Sequence, residues 1–539
     1  MRYRCRSATA TQRARRAVWF ALPMAAALAH GGGAVAATLR WASEADAASL
    51  DPYTRDETLQ LSLLGNIYEP LVRRGADLSL QPALAVAWER TDATHWTFHL
   101  RPGVSWQDGT PFTAADVVFS FARVRSPTSL LRSVTAALTG ATASDSLTVE
   151  LQTAEPDPIL PLQLTNWYIM SQAWAEAHET TAPALLASTG EDFATRHAMG
   201  TGPFLVALRD PDHRTVLERN PAWWDTPSEL VDSVEFDVLT APTTRVAALV
   251  SGEVDVATAI PPQDAAYVAR TSGLKLIAGP ELRTIVLGMD QARDQLVKSD
   301  VKGRNPFRDA RVRQAVALAI DEDAIAAKVM RGQARPAWLL WAPGVSGYDA
   351  ALDRRPAPDP ARARALLAEA GYPDGFGVTL DCPTDRYVMD EAICTALAPM
   401  LARVGIRLDV NAQPKARFFK EIGPPAYNTG FYLIGWTPPT YDALNVLFNL
   451  AGSRDGVRGA INFGGFSDPG IDRLIEQIGR TAEAAARDAL IDEAARRLQA
   501  AFAYIPLHQQ RLLWGAKVGV ELPQSPDGAL LFRLVRPRP

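Results

Sequence analysis

The sequence predicts an α/β protein of at least two lobes, and three observations lead there. After the amino-terminal leader described below, roughly 500 residues remain, whereas a single hydrophobic core stops growing near ~250–300 residues. In the second half, short apolar runs alternate with stretches of helical periodicity, the pattern of an α/β lobe. The thirty-nine prolines are spread along the chain, with no internal repeat, low-complexity tract or flexible linker. Lobes without a linker are expected to be joined by several chain crossings.

Residues 1–36 carry arginines and no acid (Arg2, Arg4, Arg6, Arg13, Arg15, Arg16), then an apolar run from Ala17 to Ala29, and lead into Ala34-Val35-Ala36-Ala37. This is the layout of a secretory signal peptide cleaved near Ala36/Ala37. The 13-residue apolar run falls short of the roughly 20 residues that span a bilayer. Arg15-Arg16 leaves the twin-arginine and general secretory routes both open. Cys5 precedes the apolar run, so no lipid-attachment cysteine stands at the cleavage point, and the mature chain is expected in the periplasm. The formal charge of −5 already includes the six leader arginines. The mature chain is therefore more acidic still, which argues against nucleic acid as a partner.

A strand over Thr38–Ala42 is followed by a helix over about Glu57–Ile67. Within Asp92–Leu100, Trp96, Phe98 and Leu100 alternate with Thr97 and His99 as in a half-buried strand. Asp108-Gly109 marks a turn, and Thr113 with Asp116 makes a capping box that opens a helix to about Val124. Strands Phe204–Arg209 and Thr215–Arg219 flank Asp210-Pro211-Asp212-His213, a hairpin turn. Helical periodicity then governs Asp309–Ile320, Asp321–Met330, Ala361–Ala370, Tyr387–Ala402, Ile471–Ile478 and Ala482–Phe502. Asp359-Pro360 starts the third of these and Gly371 stops it. The strands between them are Gly377–Asp381, Ile406–Val410 and Phe431–Gly435.

The common catalytic signatures are missing. His178-Glu179-Thr180-Thr181-Ala182 lacks the second histidine of a zinc-protease helix. No nucleophile elbow occurs, and Gly200-Thr201-Gly202 runs into Pro203, which has no backbone N–H to offer a phosphate. His95 and His99, four apart on a strand, lie about 13 Å from each other, too far to share an ion. His508 reads as a structural histidine. Cys382 and Cys394 are too few for a disulfide framework. Cys394 falls in an apolar helical pattern that favours a small buried thiol, with a single bridge to Cys382 as the other reading.

Ordered motifs run along nearly the whole mature chain. They begin with Ser49-Leu50-Asp51-Pro52 and Ile67-Tyr68-Glu69-Pro70-Leu71-Val72. The most specific stretch runs from Trp96-Thr97-Phe98-His99-Leu100-Arg101-Pro102-Gly103 through Asp108-Gly109-Thr110-Pro111-Phe112-Thr113 to Asp116-Val117. Gly200-Thr201-Gly202-Pro203-Phe204, Asn220-Pro221-Ala222-Trp223-Trp224, Ser251-Gly252-Glu253-Val254-Asp255 and Val312-Arg313-Gln314-Ala315-Val316 follow. In these motifs the chain resembles the family-5 solute-binding proteins of ABC importers.

The resemblance implies a two-lobed periplasmic binding protein fold of the class II type, with a ligand cleft between the lobes. Lobe 1 would comprise residues 38–283 and 516–539, with an extra subdomain at about 85–198, and lobe 2 residues 284–515. The crossings would lie near Leu282–Ile285 and Leu513–Gly515. The implied function is the substrate-binding component of an importer, a monomer without catalysis, metal or cofactor. It would deliver short peptides or peptide-like solutes to an inner-membrane ABC permease and its ATPase subunits. Glutathione, a nickel chelate, an opine or a sugar are the alternative ligands of the same fold, and a periplasmic hydrolase or chaperone is the rival from another class.

For the site, the family's carboxylate-binding arginine matches Arg386, since a guanidinium fork holds a carboxylate through two parallel hydrogen bonds. The family's tryptophan-x-x-aspartate aligns with Trp436-Thr437-Pro438-Pro439, so Pro439 stands where the ammonium-binding aspartate belongs. Asp442, the nearest acid, has two readings: a ligand contact, or the cap of a helix beginning near Tyr441. Trp436 is expected to line the cleft. Tyr387, and Ser43 and Glu44 just after the first strand, are further candidates by position.

Overall fold

The computed structural model describes residues 37–186, 190–225 and 230–537, so the predicted signal peptide lies outside the described residues. In chain order the elements used below are β1 (Thr38–Ser43), β2 (Ala85–Arg90), β3 (His95–Leu100), α1 (Ala114–Val124), β4 (Leu138–Asp145), β5 (Thr148–Thr153), β6 (Phe204–Asp210), β7 (Arg214–Arg219), β8 (Ser233–Val238), β9 (Val256–Ala257), β10 (Leu274–Met289), β11 (Phe376–Pro383), α2 (Asp390–Ala402), β12 (Ile406–Gln413), β13 (Phe431–Trp436), α3 (Ala484–Ala501) and β14 (Tyr504–Lys517).

An 11-stranded sheet runs in the order β12, β11, β13, β10, β14, β9, β1, β8, β7, β6, with Ala334–Pro336 paired to β14. The chain segment that carries the Trp96–Phe98 alternation lies in a separate antiparallel sheet, β2, β3, β5, β4. Two long strands, β10 and β14, join the halves of the large sheet. Leu274–Pro280 pairs with Lys517–Arg511, the ladder is then interrupted, and it resumes with Thr284 opposite Gln509. On one side of that interruption β14 pairs with β9; on the other, β13 pairs with Thr284–Met289.

The cores follow the same division. Trp41, Phe98, Trp167, Phe204 and Phe236 cluster around β1 and the four-stranded sheet. Beyond the interruption, Ile285, Leu287, Leu380 and Leu433 enter one core while Val286, Ile434 and Tyr432 enter another. Successive strand side chains point to opposite faces, so β10 and β13 divide two cores between them.

The motif residues are held by specific bonds. Arg123 from α1 donates to both carboxylate oxygens of Asp51, at 2.9 and 2.6 Å, with both side chains fully buried. Glu69 accepts the indole N–H groups of Trp223 and Trp224 and the hydroxyl of Thr201. Burial raises the Glu69 pKa against the lowering effect of these donors and of Arg73. Thr113 and Asp116 form the capping box that the sequence predicts for α1. A Cβ on Gly200 would run into the Ile67 carbonyl, and one on Gly202 would sit 2.6 Å from the same oxygen, so that crossing requires glycine.

Three expectations change. The helix expected over Tyr387–Ala402 starts at Asp390, because Met389 adopts a left-handed φ of 58° and breaks the helical path. The one expected over Asp321–Met330 is a single α-turn, Glu322–Ala324, passing into a π-turn over Ile325–Val329. Cys394 is not a free buried thiol: it is bridged to Cys382. Strand β11 ends beside the first turns of α2, which brings the two Cα atoms to 6.6 Å, within bridging range.

Candidate functional site

Arg386 and Tyr387 lie in the loop between β11 and α2, tied at its base by the Cys382–Cys394 bridge. Asp390 shapes this loop by accepting the backbone N–H groups of Arg386, Tyr387 and Glu391, each at 3.0 Å. The carboxylate near Arg386 is thus engaged by the main chain, and Asp385 accepts the Lys415 N–H at 2.6 Å. The Arg386 side chain is exposed, with its guanidinium carbon 5.4 Å from the centroid of the Tyr387 ring. Tyr387 is 8% exposed, and burial raises its pKa. Its hydroxyl donates to the Gly435 carbonyl at 3.3 Å. A Cβ on Gly435 would lie 2.9 Å from both Tyr387 Cε1 and Arg283 Cδ, so the glycine in β13 lets these two side chains approach.

At the carboxyl end of β13, the half-buried Trp436 donates its indole N–H to Asn445 Oδ1 at 3.1 Å. Pro439 is exposed, and the hydroxyls of Thr437 and Thr440 are buried with no hydrogen-bond partner among the described residues. Tyr441, at φ 53°, closes the loop: its hydroxyl donates to Asp527 at 2.8 Å and Arg74 stacks 4.0 Å from its ring centroid. Arg74 also donates to the Thr440 carbonyl at 3.1 Å, and burial lowers its pKa to about 10.

Asp442 resolves toward the capping reading and away from the ligand-contact one. It is fully buried, accepts the Leu444 N–H at 2.8 Å, and takes Nη1 and Nη2 of Arg487 at 2.8 and 2.6 Å. Buried and bonded by three donors from inside the protein, its carboxylate is engaged by the cap and by Arg487.

Ser43 and Glu44 stand at the carboxyl end of β1, on the other side of the β10–β14 junction from Arg386. Ser43 is fully buried, whereas Glu44 is exposed and accepts the Thr258 hydroxyl at 2.9 Å. Ligands of open α/β sheets bind outside the carboxyl ends of strands. Arg386 follows β11, Trp436 ends β13 and Glu44 follows β1, so each stands at such an end. The structure brings Arg386, Tyr387 and the β13 end together, and places Ser43 and Glu44 in a second group.

Sequence reasoning missed Glu281 and Arg283, which lie in the interrupted stretch of β10. Arg283 Nη1 donates to Glu281 Oε1 at 2.9 Å, and its guanidinium carbon lies 5.9 Å from the Tyr387 centroid. The available signal was the charged–apolar–charged order of Glu281-Leu282-Arg283 beside an expected crossing. A cavity of about 670 Å³ lies elsewhere, near the amino end of β1 and Lys517; its charged groups, Arg40, Asp255 and Lys517, are bonded to one another. Among the described residues, no group of three or more His, Cys, Asp or Glu side chains could hold a metal, and no helix is long and apolar enough to cross a membrane.

Residues 79–457 match the family described as bacterial extracellular solute-binding proteins, family 5. The glutathione-binding protein GsiB of Pectobacterium atrosepticum is 27% identical over 472 residues, covering 86% of this chain and 87% of that one. Among solved structures, the binding protein AgaA of A. tumefaciens R10 in complex with agropinic acid matches with a TM-score of 0.73 and 25% identity, over 93% of this chain and 99% of that one. Helicobacter pylori DppA in complex with the peptide STSA matches with a TM-score of 0.74 and 21% identity, over 93% and 98%.

Proposed function

This chain belongs to the bacterial extracellular solute-binding proteins of family 5, and on that premise we propose that it is the periplasmic substrate-binding component of an ABC importer, carrying short peptides or peptide-like solutes unaltered to an inner-membrane permease and its ATPases. The observation that carries the ligand class is Arg386. Its guanidinium is exposed at a strand end and, among the described residues, makes no ion pair with Asp385 or Asp390, whose carboxylates serve backbone N–H groups. A planar guanidinium in that state is matched to the carboxylate of an incoming solute. Glutathione is the favoured member of the class, because a protein named for binding it aligns with 86% of this chain.

Binding is coupled to movement about the interrupted β10–β14 ladder, which leaves residues 274–280 and 511–517 on one side and residues 284–288 and 504–509 on the other. The ligand stabilises a closed arrangement to the extent that it binds it better than the open one. No bond in the ligand is made or broken, and the protein acts as a monomer.

Titration calorimetry with glutathione, di- and tripeptides tests this reading. Arg386→Ala is expected to weaken the tightest of them by about 1.5–3 kcal/mol, the range of a hydrogen-bonded charge, with the apo protein as stable as before because Arg386 is exposed. Mass spectrometry should recover the ligand unchanged. A chemically altered ligand, or an absence of binding across the panel, overturns the proposal.

A further inference from the structure

We propose that Glu281, held by Arg283 on the strand that joins the two halves of the sheet, receives the cationic end of the ligand whose carboxylate Arg386 takes. This rests on the function proposed above and assigns its second polar anchor. Glu281 is 7% exposed; its Oε1 accepts Arg283 Nη1 at 2.9 Å, while its Oε2 is buried with no hydrogen-bond partner among the described residues. A buried carboxylate oxygen without a donor is unfavourable, and native proteins rarely leave one so. A ligand ammonium supplies both the missing donor and the opposite charge.

Two other acids of this region are committed. Asp442 is closed by Arg487 and the Leu444 N–H. Asp390 serves three backbone N–H groups. Asp381 also has an orphan oxygen, but it alternates with Cys382 along β11 and so faces the other side of that strand, where Lys298 and Asn411 bind it at 2.8 and 2.7 Å. Glu281 differs because its partner, Arg283, packs against Gly435 and Tyr387, the same tyrosine that Arg386 overlies. Arg386 and Arg283, the cation that holds Glu281, therefore flank one ring. Glu281 also lies where the β10–β14 ladder is interrupted, so a ligand contact there acts on the junction that moves.

The test is calorimetry on wild type and Glu281→Gln with four probes: glutathione, trialanine and the N-acetylated form of each. Acetylation should weaken wild-type binding by about tenfold or more, one step of about 1.4 kcal/mol. Glu281→Gln should weaken the free amines by a similar factor and leave the acetylated ligands unaffected, a pattern that general damage to the site does not produce. Equal wild-type affinity for free and acetylated ligands overturns the assignment, and so does a variant that discriminates as strongly as wild type. If Glu281→Gln fails to fold, Glu281→Ala carries the same four-probe comparison, with the same outcomes supporting or overturning the assignment. Wild type that binds none of the four overturns the functional reading itself, an outcome distinct from binding without discrimination.

Discussion

Asp442 shows how much a single residue's role depends on a partner distant in the chain. Its acid sits in the loop after Trp436, where sequence allows either a cap or a ligand contact. Arg487, 45 residues further on in α3, closes its carboxylate from inside. The pair is buried on both sides, and removing one member strands the other charge. Asp442→Ala is therefore expected to lower stability by about 3–5 kcal/mol, measured by chemical denaturation, with ligand affinity of the folded fraction preserved. An unchanged denaturation midpoint would contradict the structural role. The place of Arg386 just after a strand was legible, because β11 ends at Pro383, whereas its carboxylate-binding role came from the family resemblance and is the reading proposed above. Arg283 was not legible, since its surroundings come from Gly435 and Tyr387, more than a hundred residues away in sequence, and Glu281 is read through Arg283.

At the scale of elements, the loop between β11 and α2 carries two candidate contacts and is fastened three ways. Asp390 organises its backbone, Met389 turns left-handed to end it, and the Cys382–Cys394 bridge closes it. The sequence pattern showed strand and helix correctly but overran the helix start by three residues, because periodicity continues through Tyr387 while the backbone does not. A bridge across a sequence separation of 12 constrains a short loop, and its loss is expected to cost about 2–3 kcal/mol in the chain-entropy view. The double variant Cys382→Ser, Cys394→Ser should thus unfold at lower temperature. Since the same loop presents Arg386, its affinity for carboxylate ligands should fall as well. A drop in stability with unchanged affinity would mean that the bridge supports the core alone.

For the whole molecule, Asp255 links β1 to the long strand β14. It accepts Arg40 Nη2 at 2.8 Å from β1 and Lys517 Nζ at 2.7 Å from β14. Burial alone would raise its pKa, but the bonds from Arg40 and Lys517 outweigh that and hold it below the ordinary 3.8. A carboxylate depressed in the folded state stabilises the fold above its unfolded pKa, and that contribution is lost as the pH falls through the folded value. Wild type should therefore melt above Asp255→Asn at about pH 6, and the two should converge as the pH drops below about 4. Thermal unfolding across that range checks it; a gap that persists in acid would assign the effect to packing.

The sequence by itself determined the elements and the family: strand and helix periods, the capping box at Thr113 and Asp116, and the ordered motifs that identify the fold. These are local, set by spacing and by residues whose backbone or side chain admits few alternatives. Tertiary structure alone decided that one 11-stranded sheet runs through both halves, that Cys394 is bridged, that Asp442 is bonded to Arg487, and that Glu281, beside Arg283, keeps an oxygen unpartnered among the described residues. Pairing between distant segments leaves no periodic trace in the chain, and which buried charge finds a partner depends on three-dimensional proximity that spacing does not encode.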